Sequence, residues 1–203
     1  MKIREFTTDD YQAVVDIQNA IFADQPAVVE DWVEADSHRD PKCKFQRWVA
    51  EEDDKVVAVG QYGQFVWAYH PQHFNIMIRV LPDYQRRGIG AALYDHITAA
   101  LEPFDPIQLT SGTREDVPQG MKFLESRGFN LHVREQRSAV VPSEFDPARF
   151  AALEQKLAAE GITIKSLAEL ADDPERNRKA YELEMAVLPD VPGNEDFTPP
   201  GLE

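Results

Sequence analysis

Apolar residues recur along the chain in two rhythms, one of period two and one of period three to four, and their order predicts a mixed α/β domain. Lys2 to Phe6 reads as a short strand. Thr7 with Asp10 then opens a helix in which Tyr11, Val14, Ile17 and Ile21 fall at helical spacing. Ala27 to Ala35 predicts a second short helix. Gln46 to Ala50 and Lys55 to Trp67 predict a strand pair turned at the acidic Glu51–Asp54. Phe74 to Leu81 reads as a central strand with Ile76, Ile78 and Val80 on one face. Ile89, Leu93, Ile97 and Ala100 trace the stripe of a helix, and Ile107 to Thr110 a short strand. Val117, Met121 and Leu124 define a helix stopped at Gly128, a residue suited to the left-handed position after a helix. Phe129 to Val141 reads as extended, so the predicted order is β-α-α-β-β-β-α-β-α-β.

Beyond Pro142 the pattern turns helical. Asp146-Pro147 predicts a helix start with Phe150, Leu153 and Leu157 on one side and Gly161 at its end. Ile162 to Ile164 reads as a strand, Asp173-Pro174 opens a helix to about Leu188, and the tail Pro189 to Glu203 shows no regular pattern. Ala20–Pro26 (AIFADQP) is echoed 166 residues later by Ala186–Pro192 (AVLPDVP), each at a predicted helix end after a short strand. Two explanations remain open, a coincidence of helix ends or the opening of a duplicated unit. The expected organisation is a domain over residues 1–142. Residues 143–203 are then a helical linker and, if duplication holds, the start of a second, truncated domain.

Composition narrows the chemistry. With 203 residues, 43% of them hydrophobic, the chain can bury a core, and no apolar run approaches the ~20 residues of a membrane span. The amino-terminal MKIREFTTDD lacks the apolar stretch of a secretory signal, and Cys43, alone, cannot close an internal disulfide; a cytoplasmic location is expected. The net charge of −15 excludes a general nucleic-acid binder and is compatible with a cationic substrate such as an amine, although acidity also serves solubility alone. An acidic protein that binds a polyanion must concentrate cations locally, and Arg86-Arg87 does so.

That pair sits in Gln85-Arg86-Arg87-Gly88-Ile89-Gly90, between a predicted strand and a predicted helix. The first amides of a helix lack intrahelical partners and carry the positive end of its dipole. Glycine at 88 and 90 permits a sharp turn and close approach of backbone to an anion. The segment is therefore a candidate anion cradle. It is neither GxxxxGK[ST] nor GxGxxG, so neither a nucleotide-hydrolysing P-loop nor a dinucleotide fold is indicated.

With its lead-in Val80-Leu81-Pro82-Asp83-Tyr84, this loop resembles the [QR]xxGx[GA] signature of the GNAT superfamily of N-acetyltransferases, here Gln85, Gly88 and Gly90. Phe123-Leu124-Glu125-Ser126-Arg127-Gly128-Phe129 is similar to the family's late helix-to-strand junction. The likeness covers about residues 2 to 141, and the carboxy-terminal echo looks like the start of a second such domain, as in tandem members. The resemblance implies a mostly antiparallel sheet flanked by helices, with two strands splayed apart at an acetyl-CoA site. Backbone groups around Ile78, Arg79 and Val80 would hold the pantetheine arm. The amides of Gln85, Arg86, Arg87, Gly88, Ile89, Gly90 and Ala91 would hold the pyrophosphate.

The expected activity is transfer of acetyl to a small-molecule or peptide amine by direct attack in a ternary complex. No metal, nucleic acid or membrane is expected to take part, and a homodimer is an open assembly. The sequence departs from the family at the usual tyrosine, where Leu124 stands, and the strands 74–81 and 107–110 carry no carboxylate. His73, Glu115 and Asp116 remain as candidate acid–base groups, the last two explained equally by the dipole of the helix they precede. Trp67, Tyr69 and His70 are candidate walls of an acceptor pocket. Two further readings follow, a non-catalytic acyl-CoA-binding domain and a structural half of a tandem protein.

Overall fold

Five strands lie side by side in chain order: β1 (Lys2–Glu5), β2 (Gln46–Glu52), β3 (Lys55–Gly63), β4 (His73–Val80) and β5 (Gln108–Thr110). This computed structural model describes residues 1–191, in two compact units, 1–130 and 131–191. The first four strands pair antiparallel and β5 joins β4 in parallel, giving an open sheet. The β2–β3 hairpin turns on Asp53 and Asp54, both left-handed at φ 50° and 59°, as a two-residue turn requires. The β3 strand ends at Gly63, four residues short of the predicted Trp67. Its pairing with β4 ends at Gly63–Asn75, and Phe65 and Trp67 stack on each other, partly in solvent.

Helices cover both faces. On one, α1 (Tyr11–Ile21) sets Val14 and Ile17 against Val49 and Val59, with α2 (Val29–Ser37) beside it contributing Trp32. On the other, α3 (Ile89–Leu101) buries Ile89, Leu93, Ile97 and Leu101 against Ala50, Ala58, Tyr62 and Ile76. Leu101 takes the place expected of Ala100 because the buried stripe steps strictly by four. Gly60 lets this helix sit directly on β3: a Cβ there would lie 3.0 Å from Ile97 Cδ1 and 3.2 Å from Leu93 Cδ2.

One buried carboxylate and one half-buried one fasten α1 and α2 to the sheet. Asp10 accepts from Thr7 N–H and from both Arg4 Nη atoms, each at 2.7 Å. Asp36 accepts from Arg47 at 2.8 and 3.0 Å, from Tyr11 at 2.8 Å and from Arg39. The Arg4 hydrogen bonds hold the Asp10 carboxyl below the ordinary aspartate range. Its contribution is therefore complete above the unfolded value of about 3.9 and is lost as pH falls through the lower folded value. Asp10→Asn is expected to destabilise the fold by about 2 kcal/mol at neutral pH. In denaturant titrations that difference should persist at pH 5 and shrink below about pH 4; a pH-independent gap would assign the effect to shape rather than charge.

α4 (Pro118–Glu125) completes the first unit and ends at Gly128, which adopts φ 80° as expected of a helix terminator. The second unit contains α5 (Ala151–Ala159) and α6 (Arg176–Val187). The Asp146-Pro147 start is realised as a one-turn 3-10 segment before α5, with the Asp146 carboxylate accepting from Ala148 N–H at 3.0 Å, and Gly161 closes it at φ 78°. Two expected strands are absent among the described residues, 129–141 and Ile162–Ile164. Their β-branched content favours a pleated surface only when a neighbouring strand supplies the ladder. The echo falls at the ends of α1 and α6, but no strand precedes α6; Pro192 and most of the tail from Pro189 lie outside the described residues. No helix among the described residues is long and apolar enough to cross a membrane.

Candidate active site

The β4 strand runs on to Val80, but its partner β5 stops at Thr110, so the pairing covers only His73 to Asn75 and the rest of that edge is open. The pleat decides which peptide groups face the gap. Leu81 N–H donates to the Val57 carbonyl at 2.9 Å on the β3 side, whereas the Gln72 carbonyl accepts from Ile107 N–H at 3.0 Å on the β5 side. Alternation therefore turns the backbone of Ile76, Ile78 and Val80 toward the gap.

The glycine loop is tied to the same strand end, because Gln85 Nε2 donates to the Val80 carbonyl at 3.0 Å. Arg86 (φ 62°) and Gly88 (φ 85°) are left-handed, and Gly88 caps α3. Nothing lies within 4 Å of the position a Gly88 Cβ would take. Gly90 sits in ordinary helical backbone, where a Cβ would meet the Phe123 ring at 3.5 Å. The sharp turn thus belongs to Gly88, whose Cβ side faces open space at the start of α3.

A cavity of about 730 Å³ follows the gap. Ile78, Arg79, Val80, Gln85, Arg86, Gly88, Gly90 and Ala91 line it, as expected from the sequence. Ile89 instead buries its side chain beneath α3, and Arg87 donates to the Asp83 carbonyl at 2.6 Å with Glu52 at 3.7 Å. The cavity crosses the sheet: Ile78 and Val80 belong to the α3 face, while Met77 packs on the α1 face and Ile21 and Phe22 come from the end of α1 itself.

Charge within it opposes that of the chain. Arg79, Arg86, Lys122 and Arg127 line the cavity, and no Asp or Glu is among the described lining residues. Arg127 lies over the Phe123 and Tyr94 rings, at 4.1 and 4.8 Å. Burial pulls the Arg79 guanidinium down to about 10, with the nearby Arg47 charge adding to the effect. Burial likewise pushes the Cys43 thiol up, which makes it a poor nucleophile.

The three candidate acid–base groups lie outside the lining. His73 starts β4 opposite Gln108 and stacks on His70 at 4.0 Å. Glu115 is exposed. Asp116 is gripped by Arg114, which holds its carboxyl below the ordinary range and also binds Asp24 at 2.8 Å. Trp67, Tyr69 and His70 are likewise not part of it. Sequence reasoning missed Phe22, Ser111–Thr113, Lys122 of α4 and Arg127 just beyond it. One signal was available, a glycine inside a helix: a Cβ on Gly120 would lie 2.2 Å from Thr113 Oγ1, so α4 closes directly on the loop after β5.

Comparisons with known proteins agree with this arrangement. The family model described as "Acetyltransferase (GNAT) family" matches residues 9–129. No curated protein matches the sequence. Among solved structures, the ribosomal-protein-alanine N-acetyltransferase of Brucella melitensis is 22% identical with a TM-score of 0.53, over 64% of this chain and 85% of that one. Ard1 of Thermoplasma volcanium is 18% identical with a TM-score of 0.55, over 65% and 84%. An N-acetyltransferase of Staphylococcus aureus is 19% identical with a TM-score of 0.52, over 63% and 82%. At these identities the structures speak for the fold, while the family model spans more than half of the chain. The chain belongs to the acetyltransferase (GNAT) family and is an acyltransferase.

Proposed function

We propose that the chain transfers the acetyl group of acetyl-CoA to the amine of a small molecule or a peptide N-terminus, by direct attack with both substrates bound. The observation that carries this reading is the cationic cavity of an acidic chain, running from a glycine-capped helix through a gap in the sheet. The residues fit the cofactor: Gly88 leaves its surroundings open, the amides up to Ala91 at the start of α3 would serve an anion, and Arg86, Lys122 and Arg127 add charge for phosphates. Backbone groups of Ile76, Ile78 and Val80 would accept and donate along the pantetheine arm as a missing strand would. Acetyl-CoA supplies an activated thioester, whose C–S bond breaks as the amine nitrogen bonds to the carbonyl carbon, the amine's surplus proton passing to water.

The residues contribute chiefly by position. Ile21, Phe22 and Met77 make apolar walls at the acceptor end, which disfavour an ammonium relative to the neutral amine that attacks. The departing thiolate, whose parent thiol resembles cysteine at about 8.5, leaves without an obligatory acid. This accommodates Leu124, which lines the cavity where the family's tyrosine usually stands. With no carboxylate or imidazole in the described lining, kcat/KM should rise with pH up to the pKa of the amine itself. A pH profile that moves when a less basic amine is substituted supports this. One fixed break for all amines would assign the proton to a protein group, with His73, Glu115 and Asp116 the first to test.

The same lining favours a second reading, an acyl-CoA-binding domain without turnover. Thiol release across an amine panel separates the two, since tight binding with no release on any amine would establish the second. We assign the catalytic unit to residues 1–142 and read α5 and α6 as a helical linker.

A further inference from the structure

The acceptor end of the cavity holds a charge that the protein does not neutralise. Arg79 lines the cavity from β4, and its guanidinium reaches the α1 side of the sheet, where Nη1 donates to Gln18 Oε1 at 2.8 Å. The rings of Phe22 and Trp32 flank it at 5.6 and 5.7 Å. Among the described residues no carboxylate lies within ion-pairing distance of it, and one neutral amide answers a group with five N–H donors.

The other arginines on this side of the molecule are treated differently. Arg4 has Asp10 and Glu51, Arg47 and Arg39 share Asp36, and Arg114 has Asp24 and Asp116. The chain has 36 acidic residues against 21 basic, so counter-ions are plentiful. A half-buried cation left without one, beside Arg47 of like charge, keeps N–H groups that a ligand carboxylate can take from water. The diphosphate does not explain it. The phosphate cradle opens at the start of α3, which packs on the opposite face of the sheet from α1, toward which Arg79 reaches.

We propose that the acceptor is an amine that also bears a carboxylate, an amino acid or a close analogue, and that Arg79 binds this carboxylate and so places the amine at the thioester. This rests on the reading of the cavity as an acetyl-transfer site. Gln18 holds the guanidinium plane, and Phe22, Ile21 and Met77 frame the body of the acceptor. The whole-chain charge of −15 favours cationic amines, but at this end of the cavity the local cation overrides it.

The test compares matched pairs that share a side chain, phenylalanine with phenethylamine and methionine with 3-(methylthio)propylamine. Thiol release is measured at saturating acetyl-CoA, and calorimetric binding of the same amines to the CoA-loaded protein requires no turnover. The wild type should prefer the carboxylate member of at least one pair by roughly 10- to 100-fold in kcat/KM or affinity. Arg79→Met should collapse that ratio toward one, and Arg79→Lys should retain part of it. Equal or better use of the decarboxylated amines by the wild type would overturn the proposal, and this outcome needs no variant to fold. So would an unchanged ratio in Arg79→Met, or an Arg79-dependent preference for succinyl-CoA over acetyl-CoA, which would place the carboxylate on the acyl donor. Arg79-dependent amino-acid binding without thiol release would sustain the carboxylate site while sinking the transferase reading.

Discussion

Gly88→Glu is expected to weaken acetyl-CoA binding by at least ~100-fold in a protein that still folds. Three features combine. Gly88 caps α3, so a side chain there stands at the positive end of the helix where a phosphate would lie. Beyond its chain neighbours, nothing lies within 4 Å of its missing Cβ, so the side chain starts into open space rather than against the packed core. Its φ of 85° makes any L-residue strained, by about 1–2 kcal/mol, and Gly88→Ala measures that strain by itself. Calorimetry with acetyl-CoA on all three proteins, beside thermal melts, separates strain from charge. If Gly88→Glu bound as tightly as Gly88→Ala, the loop would not be the diphosphate site.

Leu93→Ala should have the largest effect on stability, about 3 kcal/mol, because the side chain is fully buried where α3 meets the sheet. Its neighbour makes the prediction specific. A methyl group at Gly60 would lie 3.2 Å from Leu93 Cδ2 and 3.0 Å from Ile97 Cδ1, so Gly60→Ala alone should overpack the contact by about 1 kcal/mol. In the Leu93→Ala background the same methyl enters vacated space and should be neutral or stabilising. Urea titrations of the four proteins give the coupling, and strict additivity would mean that the two residues do not share this contact. Because α3 also carries the glycine loop at its start, a loosened contact should weaken acetyl-CoA binding as well.

Placement of the candidate acid–base groups illustrates a different kind of information. Glu115 and Asp116 follow β5 by a few residues, near enough along the chain to suggest a role in catalysis. Yet Asp116 is held by Arg114, which in turn reaches Asp24 at the end of α1. The Arg114–Asp24 pair joins residues 90 positions apart and has no local signature. Arg79 shows the converse: its position on β4 was plain, but its lack of a counter-ion could be learned only once every neighbour had been brought alongside.

What the sequence determined by itself is whatever depends on local periodicity and backbone freedom. The stripe Ile89, Leu93, Ile97 reads at helical spacing and is buried as such; alternation in β4 sets Ile76, Ile78 and Val80 on one face; Gly88, Gly128 and Gly161 take the left-handed backbone that glycine alone adopts without strain. The cradle for an anion was legible for that reason. Tertiary structure decided everything that depends on partners distant in the chain. Residues 129–141 have strand-like composition and form no strand, because a ladder needs a neighbour that composition cannot promise. The gap beside β4 exists because β5 is only three residues long. The cavity that crosses it draws its walls from both faces of the sheet, a combination of α1, β4 and α4 that pairwise spacing along the chain does not encode.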